Sequence, residues 1–268
     1  MSLLAVSGPD EIGVRVTPGD IVAPKVGRMS VLVVTGTDTG VGKTVVTAAI
    51  AALAMARGSS VAVVKPAQTG VGPGEPGDLD EIIRLAGVTT TFEFARYPDP
   101  LSPAASARVS GLPPLSLSSA ASRITELAES HRLVLVEGAG GLLVRFDEEG
   151  GTIADLAHAL KVPVLVVARS GLGTLNHTAL TLEVLAHRGL ELAGVVIGSW
   201  PRDPGLADRC NVPDLEMLAA RPLTGALPEA AGDLSAGKFL ELAHRSLGPS
   251  LGGAFDAQAF RSTLALPH

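Results

Sequence analysis

The chain has 268 residues, 46% apolar and 18% charged, which excludes a disordered polymer and suits one α/β domain with tails. Its 21 basic residues against 27 acidic ones give a net charge of −6, so no basic excess points to nucleic acid or an anionic membrane. The single Cys210 excludes a disulfide framework and fits a reducing cytosol. No apolar run reaches the roughly 18 residues of a membrane span, and the start MSLLAVSGPD lacks the basic and apolar regions of a signal peptide. A soluble, cytoplasmic globular protein is expected.

Residues 1–28, with Gly8-Pro9, Pro18-Gly19 and Pro24, read as an N-terminal extension, and residues 29–268 as one domain. From Val31 onward, short β-branched runs alternate with helical stretches. Strands are predicted at 31–35, 61–65, 133–137, 164–168 and 195–198, and helices at 43–57, 78–85, 118–130, 152–160 and 175–188. Continuous apolar strands separated by helices predict a doubly wound, mainly parallel sheet with helices on both faces, whose ligands bind beyond the strands' carboxyl ends.

The first strand runs into Gly36-Thr37-Asp38-Thr39-Gly40-Val41-Gly42-Lys43-Thr44. Successive backbone amides and a helix start make an anion nest, with Lys43 for the β/γ-phosphates and Thr44 for Mg²⁺. The general pattern places glycine six residues before the lysine, where this chain has Thr37, so the loop is a P-loop variant. Only five lysines occur in the chain, and a second one, Lys65, ends the second predicted strand in Lys65-Pro66-Ala67-Gln68-Thr69-Gly70. Pro66 is expected to stop the ladder there and leave Lys65 facing the same phosphates. The strand Leu133–Glu137 ends in an acid placed to hold a metal, followed by the glycines of Gly138-Ala139-Gly140-Gly141. Asp78 or Asp80 opens a helix, where either carboxylate can serve as an N-cap. The stretch Gly173-Thr174-Leu175-Asn176-His177 starts another helix at the ligand edge, suited to a carboxylate. His177 reads as a packing or capping residue and Cys210 as inert.

With GTDTGVGKT, KPAQTG, VEGAGG and GTLNHT in this order, the sequence resembles the dethiobiotin synthetases from about Val31 to about residue 245. The resemblance implies a homodimeric P-loop ligase of biotin biosynthesis. In this family CO₂ forms a carbamate on 7,8-diaminononanoate, a nucleoside triphosphate activates it as a mixed anhydride, and the second amine closes the cyclic urea. It also implies Lys43, Lys65 and Thr69 in the reaction, and Mg²⁺ held by Thr44, Asp78 and Glu137. The nucleotide would be bound by Thr39, Gly40, Val41, Gly42, Lys43, Thr44 and Val45, by Glu137, Gly138, Ala139 and Gly140, and at Gly198, Ser199, Leu227, Pro228 and Glu229. The substrate would be held by Lys65 and Thr69 and, across the dimer interface, by Gly173, Thr174, Leu175 and Asn176.

The chain departs from the family twice. Gly40 stands where many members carry Glu, and Gly198 stands where the adenine-recognising Asn is expected, so the donor is expected to be ATP or another nucleoside triphosphate. Rival readings are an amidotransferase-type ligase, whose glutaminase domain cannot fit in residues 199–268, and a partition-type ATPase, whose loop usually begins with a lysine. A third is a non-catalytic module, which would be expected to lose Lys65 or Glu137.

Overall fold

The computed structural model describes residues 30–264; the N-terminal extension read at 1–28 lies outside them. In chain order the main elements are β1 (Ser30–Gly36), α1 (Lys43–Ala56), β2 (Val61–Thr69), α2 (Asp78–Ala86), β3 (Thr91–Tyr97), α3 (Pro103–Ser110), α4 (Leu117–Ser130), β4 (Leu133–Gly141), α5 (Ile153–Leu160), β5 (Val164–Ala168), α6 (Thr174–His187), β6 (Leu192–Trp200), α7 (Leu206–Ala219), β7 (Gly225–Pro228), α8 (Ala236–Ser246) and α9 (Ala257–Ser262). The seven strands form one sheet in the order β3-β2-β4-β1-β5-β6-β7, and every pairing is parallel.

Side chains alternate across a strand, so each central strand feeds two cores. Val33, Ala62, Val64, Val134, Val136, Val166 and Ile197 pack with Ile124 of α4, Leu156 of α5, Leu185 of α6 and Leu215 of α7. Val34, Val63, Leu135, Val167 and Val196 pack on the other face with Ile50 of α1, Ile82 of α2 and Phe239 of α8. Burial on both faces explains why these strands read as unbroken apolar runs. The predicted doubly wound sheet is present, and its five predicted strands form its centre.

Three local expectations are corrected. First, β3 and β7 complete the sheet, and α3, α7, α8 and α9 were not predicted. Second, Pro66 does not end β2, which runs on to Thr69 beside β3. The β2–β4 pairing ends at Val64↔Val136, so Pro66 lies where β2 has already parted from β4, and its missing N–H breaks no ladder on that side. Third, β6 begins three residues earlier than predicted and extends to Trp200.

Candidate active site

The parting of β2 from β4 opens the crevice. Lys65 and Glu137 are the residues immediately beyond the last paired position, Val64↔Val136. By alternation both point to the face covered by α1 and α2, the two helices that begin with Lys43-Thr44 and Asp78. The candidate side chains Lys43, Thr44, Lys65, Asp78 and Glu137, drawn from four segments of the chain, thereby meet in a cavity of about 650 Å³, lined also by Thr39, Gly40, Val45, Thr69 and Ala139.

Within it Glu137 is fully buried. Its Oε1 accepts hydrogen bonds from Thr44 Oγ1 at 3.0 Å and Lys65 Nζ at 2.8 Å. Lys65 Nζ also lies 2.5 Å from Asp78 Oδ2 and donates to the Gly138 carbonyl at 3.2 Å. Lys65 was expected to face phosphates; here its ammonium lies between the two carboxylates assigned to the metal. Burial alone would lower its pKa, but the charges of Glu137 and Asp78 outweigh that and hold it above the usual lysine value. Lys43 donates to the Asp38 carbonyl at 3.0 Å. Burial first, and then the charge of Lys65, push its pKa down to about 8, against the opposing carboxylates of Glu137, Asp78 and Asp38.

The two aspartates of α2 stand in different surroundings. Asp80 accepts the Gly77 amide at 2.7 Å, capping the start of α2. Asp78 lines the crevice, its own amide held by Gln68 Oε1 at 3.0 Å.

The residues read for base recognition are arranged differently. Gly198 is buried beneath the phosphate loop, and a Cβ there would lie 2.0 Å from the Val41 carbonyl oxygen. Gly42, at φ +96°, faces it from above, so each glycine is needed for the other's backbone to approach. Gly198 offers no side chain to a base, and the Val41 carbonyl leaves no room for one at that position. Leu227 is a fully buried core residue and can present only backbone. Ser199 and Glu229 line a cavity on the far side of the loop with Gly40, Val41, Arg169 and Pro201. Pro228 and Glu229 continue into a groove with Trp200 and Arg202. Gly173, Thr174, Leu175 and Asn176 do not line the crevice within one chain. Exposed His177 borders a separate cavity with Thr37, Asp38, Leu143 and Leu180, and Cys210 is free.

Some lining residues were not predicted. Pro100, Leu101, Ser102 and Pro103 close one side of the crevice. Their signal was readable: Ser102 caps α3 and Pro103 occupies its first turn. Arg169 also went unnoticed. Its guanidinium donates to the Thr39 carbonyl at 2.9 Å and to Asp38 Oδ2 at 3.2 Å, tying the end of β5 to the loop.

The parallel sheet, the glycine loop running into a lysine-led helix and the acid where β4, which runs on to Gly141 rather than ending at Glu137 as predicted, parts from β2 define a P-loop α/β domain. A ParA family ATPase from Chlorobium tepidum (14% identity, 88% of this chain and 98% of that one, TM-score 0.50) shares this fold. So does the septum site-determining protein MinD from Pyrococcus horikoshii (17% identity, 83% and 94%, TM-score 0.50). The family described as "AAA domain" matches residues 30–233. The ATP-dependent dethiobiotin synthetase BioD of Frankia casuarinae is 65% identical over 234 residues, 87% of this chain and 98% of that protein. The protein of the same name from Streptomyces coelicolor is 58% identical over 87% and 98%, and that from Mycobacterium avium 55% over 79% and 92%. The chain belongs to the dethiobiotin synthetase family.

Proposed function

We propose that the protein is an ATP-dependent ligase that closes the cyclic urea of dethiobiotin from 7,8-diaminononanoate and CO₂ in biotin biosynthesis. The observation that carries this reading is the meeting of Lys43, Lys65, Thr44, Asp78 and Glu137 in one crevice beside the phosphate loop. CO₂ adds to one amine to give a carbamate. A carbamate oxygen attacks the γ-phosphorus and ADP leaves. The second amine then attacks the carbonyl carbon, phosphate departs, and the ring is closed. No acid–base triad is required, because phosphoryl transfer depends mainly on positioning and on charge stabilisation. The loop amides from Thr39 to Val45 bind the polyphosphate. Lys43 and Lys65 neutralise charge that builds up on phosphate and carbamate oxygens, and Thr69, on the crevice wall, holds an oxygen of the same groups.

The site also suits Mg²⁺. Thr44, Asp78 and Glu137 are hard oxygen donors, and Glu137 Oε2 is buried with no hydrogen-bond partner. Among the described residues no cluster of three or more His, Cys, Asp or Glu is present. A magnesium ion that takes part of its shell from substrate phosphates does not need one. When bound, it would withdraw charge from the transferring phosphoryl group. The Lys65 ammonium and the ion would draw on the same two carboxylates, Asp78 and Glu137, and Lys65 would share its charge with phosphate and carbamate oxygens.

A homodimer completes the reading. Leu143 and Leu180, 47% and 55% exposed, flank one cavity, and Leu172, 89% exposed, precedes α6. A second copy on this face would cover them and bring Gly173–Asn176 to the neighbouring crevice, where the helix start takes the substrate carboxylate. ATP is the donor, and Ser199, Pro228, Glu229 and the Leu227 backbone meet its base loosely enough to admit other nucleoside triphosphates. The partners are small molecules, without nucleic acid or membrane, and the location is the cytoplasm; no helix among the described residues is long and apolar enough to cross a membrane. The test is mass spectrometry with ¹³C-bicarbonate, diaminononanoate, ATP and Mg²⁺. Dethiobiotin carrying one ¹³C is expected, and its absence with folded protein would refute the proposal.

A further inference from the structure

We propose that Asn211 of α7 is a positioning residue of the substrate site, holding the turn between β5 and α6 and so setting where the first turn of α6 stands. This rests on the reading above that Gly173–Asn176 receives the substrate carboxylate. Asn211 is 7% exposed, and its Nδ2 donates to two successive carbonyls, Ser170 at 2.7 Å and Gly171 at 3.1 Å. An amide facing two carbonyl oxygens can present only its nitrogen, so its orientation is fixed by chemistry. The Ser170 hydroxyl donates to Asp208 Oδ1 at 2.6 Å, and Asp208 Oδ2 accepts the Gly205 amide at 2.9 Å at the start of the same helix. Thr174 closes the turn from within, its hydroxyl on the Arg169 carbonyl at 2.7 Å and its amide on Gly171 at 3.2 Å.

The opposite end of the turn is fastened to the phosphate loop through Arg169. The turn is therefore a strut between the loop and α7, and α6 begins where it ends. That helix has no side-chain N-cap and no acid in its first turn. Among the described residues, nothing accepts the Leu175 or Asn176 amide hydrogens. These two donors are the ones an incoming carboxylate would meet, and their direction follows from the turn that Asn211 holds. A buried network in which each member is satisfied keeps one geometry; deleting the Asn211 donor leaves the Ser170 carbonyl unpaired and the Gly171 carbonyl with the Thr174 amide alone.

The experiment compares wild type with Asn211→Ala and Asn211→Asp. Both variants should raise KM for the diamino acid about tenfold while nucleotide Kd stays within about twofold. Amide hydrogen exchange across 170–176 should be faster in both. An unchanged diamino-acid KM in a folded variant would overturn the proposal, as would KM and nucleotide Kd rising together, the pattern of general loosening. If Asn211→Ala fails to fold, Ser170→Ala removes one bond of the same clamp and should shift KM about threefold in the same direction; no shift would again count against it. If wild type made no dethiobiotin, the proposed function would fail, while the exchange measurement on 170–176 would still decide whether Asn211 holds the turn.

Discussion

The carboxyl edge of the sheet is built in two ways. Over β1, β2 and β4 the crevice is made of side chains, two lysines, two carboxylates and a threonine drawn together where two strands part. Over β5, β6 and β7 it is made largely of backbone, with Gly198 pressed against the phosphate loop and Asn211 holding two loop carbonyls. In the first region the proposed tasks rest on residue type. In the second, position decides, and a substitution acts through geometry rather than through the group it adds.

The largest expected effect is on the side-chain half. Lys43→Ala removes the one ammonium fixed to the loop itself and should lower the rate on the order of 10²-fold or more. Near wild-type turnover at saturating ATP would break the assignment. Lys65→Gln should depress kcat more than it weakens nucleotide binding, because the charge acts where the phosphoryl group is transferred. The same variant loses the cation that lies between Asp78 and Glu137. Without nucleotide it should therefore bind Mn²⁺ about tenfold more tightly in an electron paramagnetic resonance titration. Equal or weaker binding would mean that Lys65 does not compete for those oxygens.

On the backbone half, Gly198→Asn would restore the residue type usual in the family, yet the Val41 carbonyl leaves it no room. Affinity for all four common nucleoside triphosphates should fall about tenfold together as the loop is displaced. A sharper preference for ATP would show instead that position 198 does face the base. In wild type, CTP or UTP should support turnover within roughly tenfold of ATP, since few side chains are available to read a base. Rates more than a hundredfold below ATP for both would contradict this.

A smaller effect concerns pH. With its pKa near 8 in the free protein, Lys43 is charged below that pH and increasingly neutral above it. Triphosphate binding favours the charged form, so above pH 8 binding should take up close to one proton and weaken as pH rises. Calorimetry in buffers of different ionisation enthalpy measures the uptake. No uptake at pH 9 would place the Lys43 pKa elsewhere.

The same division explains what could be read in advance. Strands buried on both faces announce themselves as apolar runs, and Lys65 and Glu137 stand where those runs break off, which marked them as candidates although β2 and β4 themselves continue to Thr69 and Gly141. Edge strand β3, Thr-Phe-Glu-Phe-Ala-Arg-Tyr, is half-buried along most of its length, and β7 has only four residues, Gly-Ala-Leu-Pro. Neither carries the pattern of a central strand. That Asp78 lines the crevice while Asp80 accepts the Gly77 amide is visible only in the folded chain. The constraint on Gly198 comes from Val41, far away in the chain, and Asn211 gives no local sign of the turn it holds. Such roles arise only when folding brings distant segments together.

Whether the side-chain crevice uses ATP to activate a carbamate is decided by measuring ADP release with diaminononanoate and bicarbonate each omitted in turn. ADP is expected only when both are present, in a one-to-one ratio with dethiobiotin. Steady ADP release without the diamino acid would contradict it and point to an ATPase on the same fold.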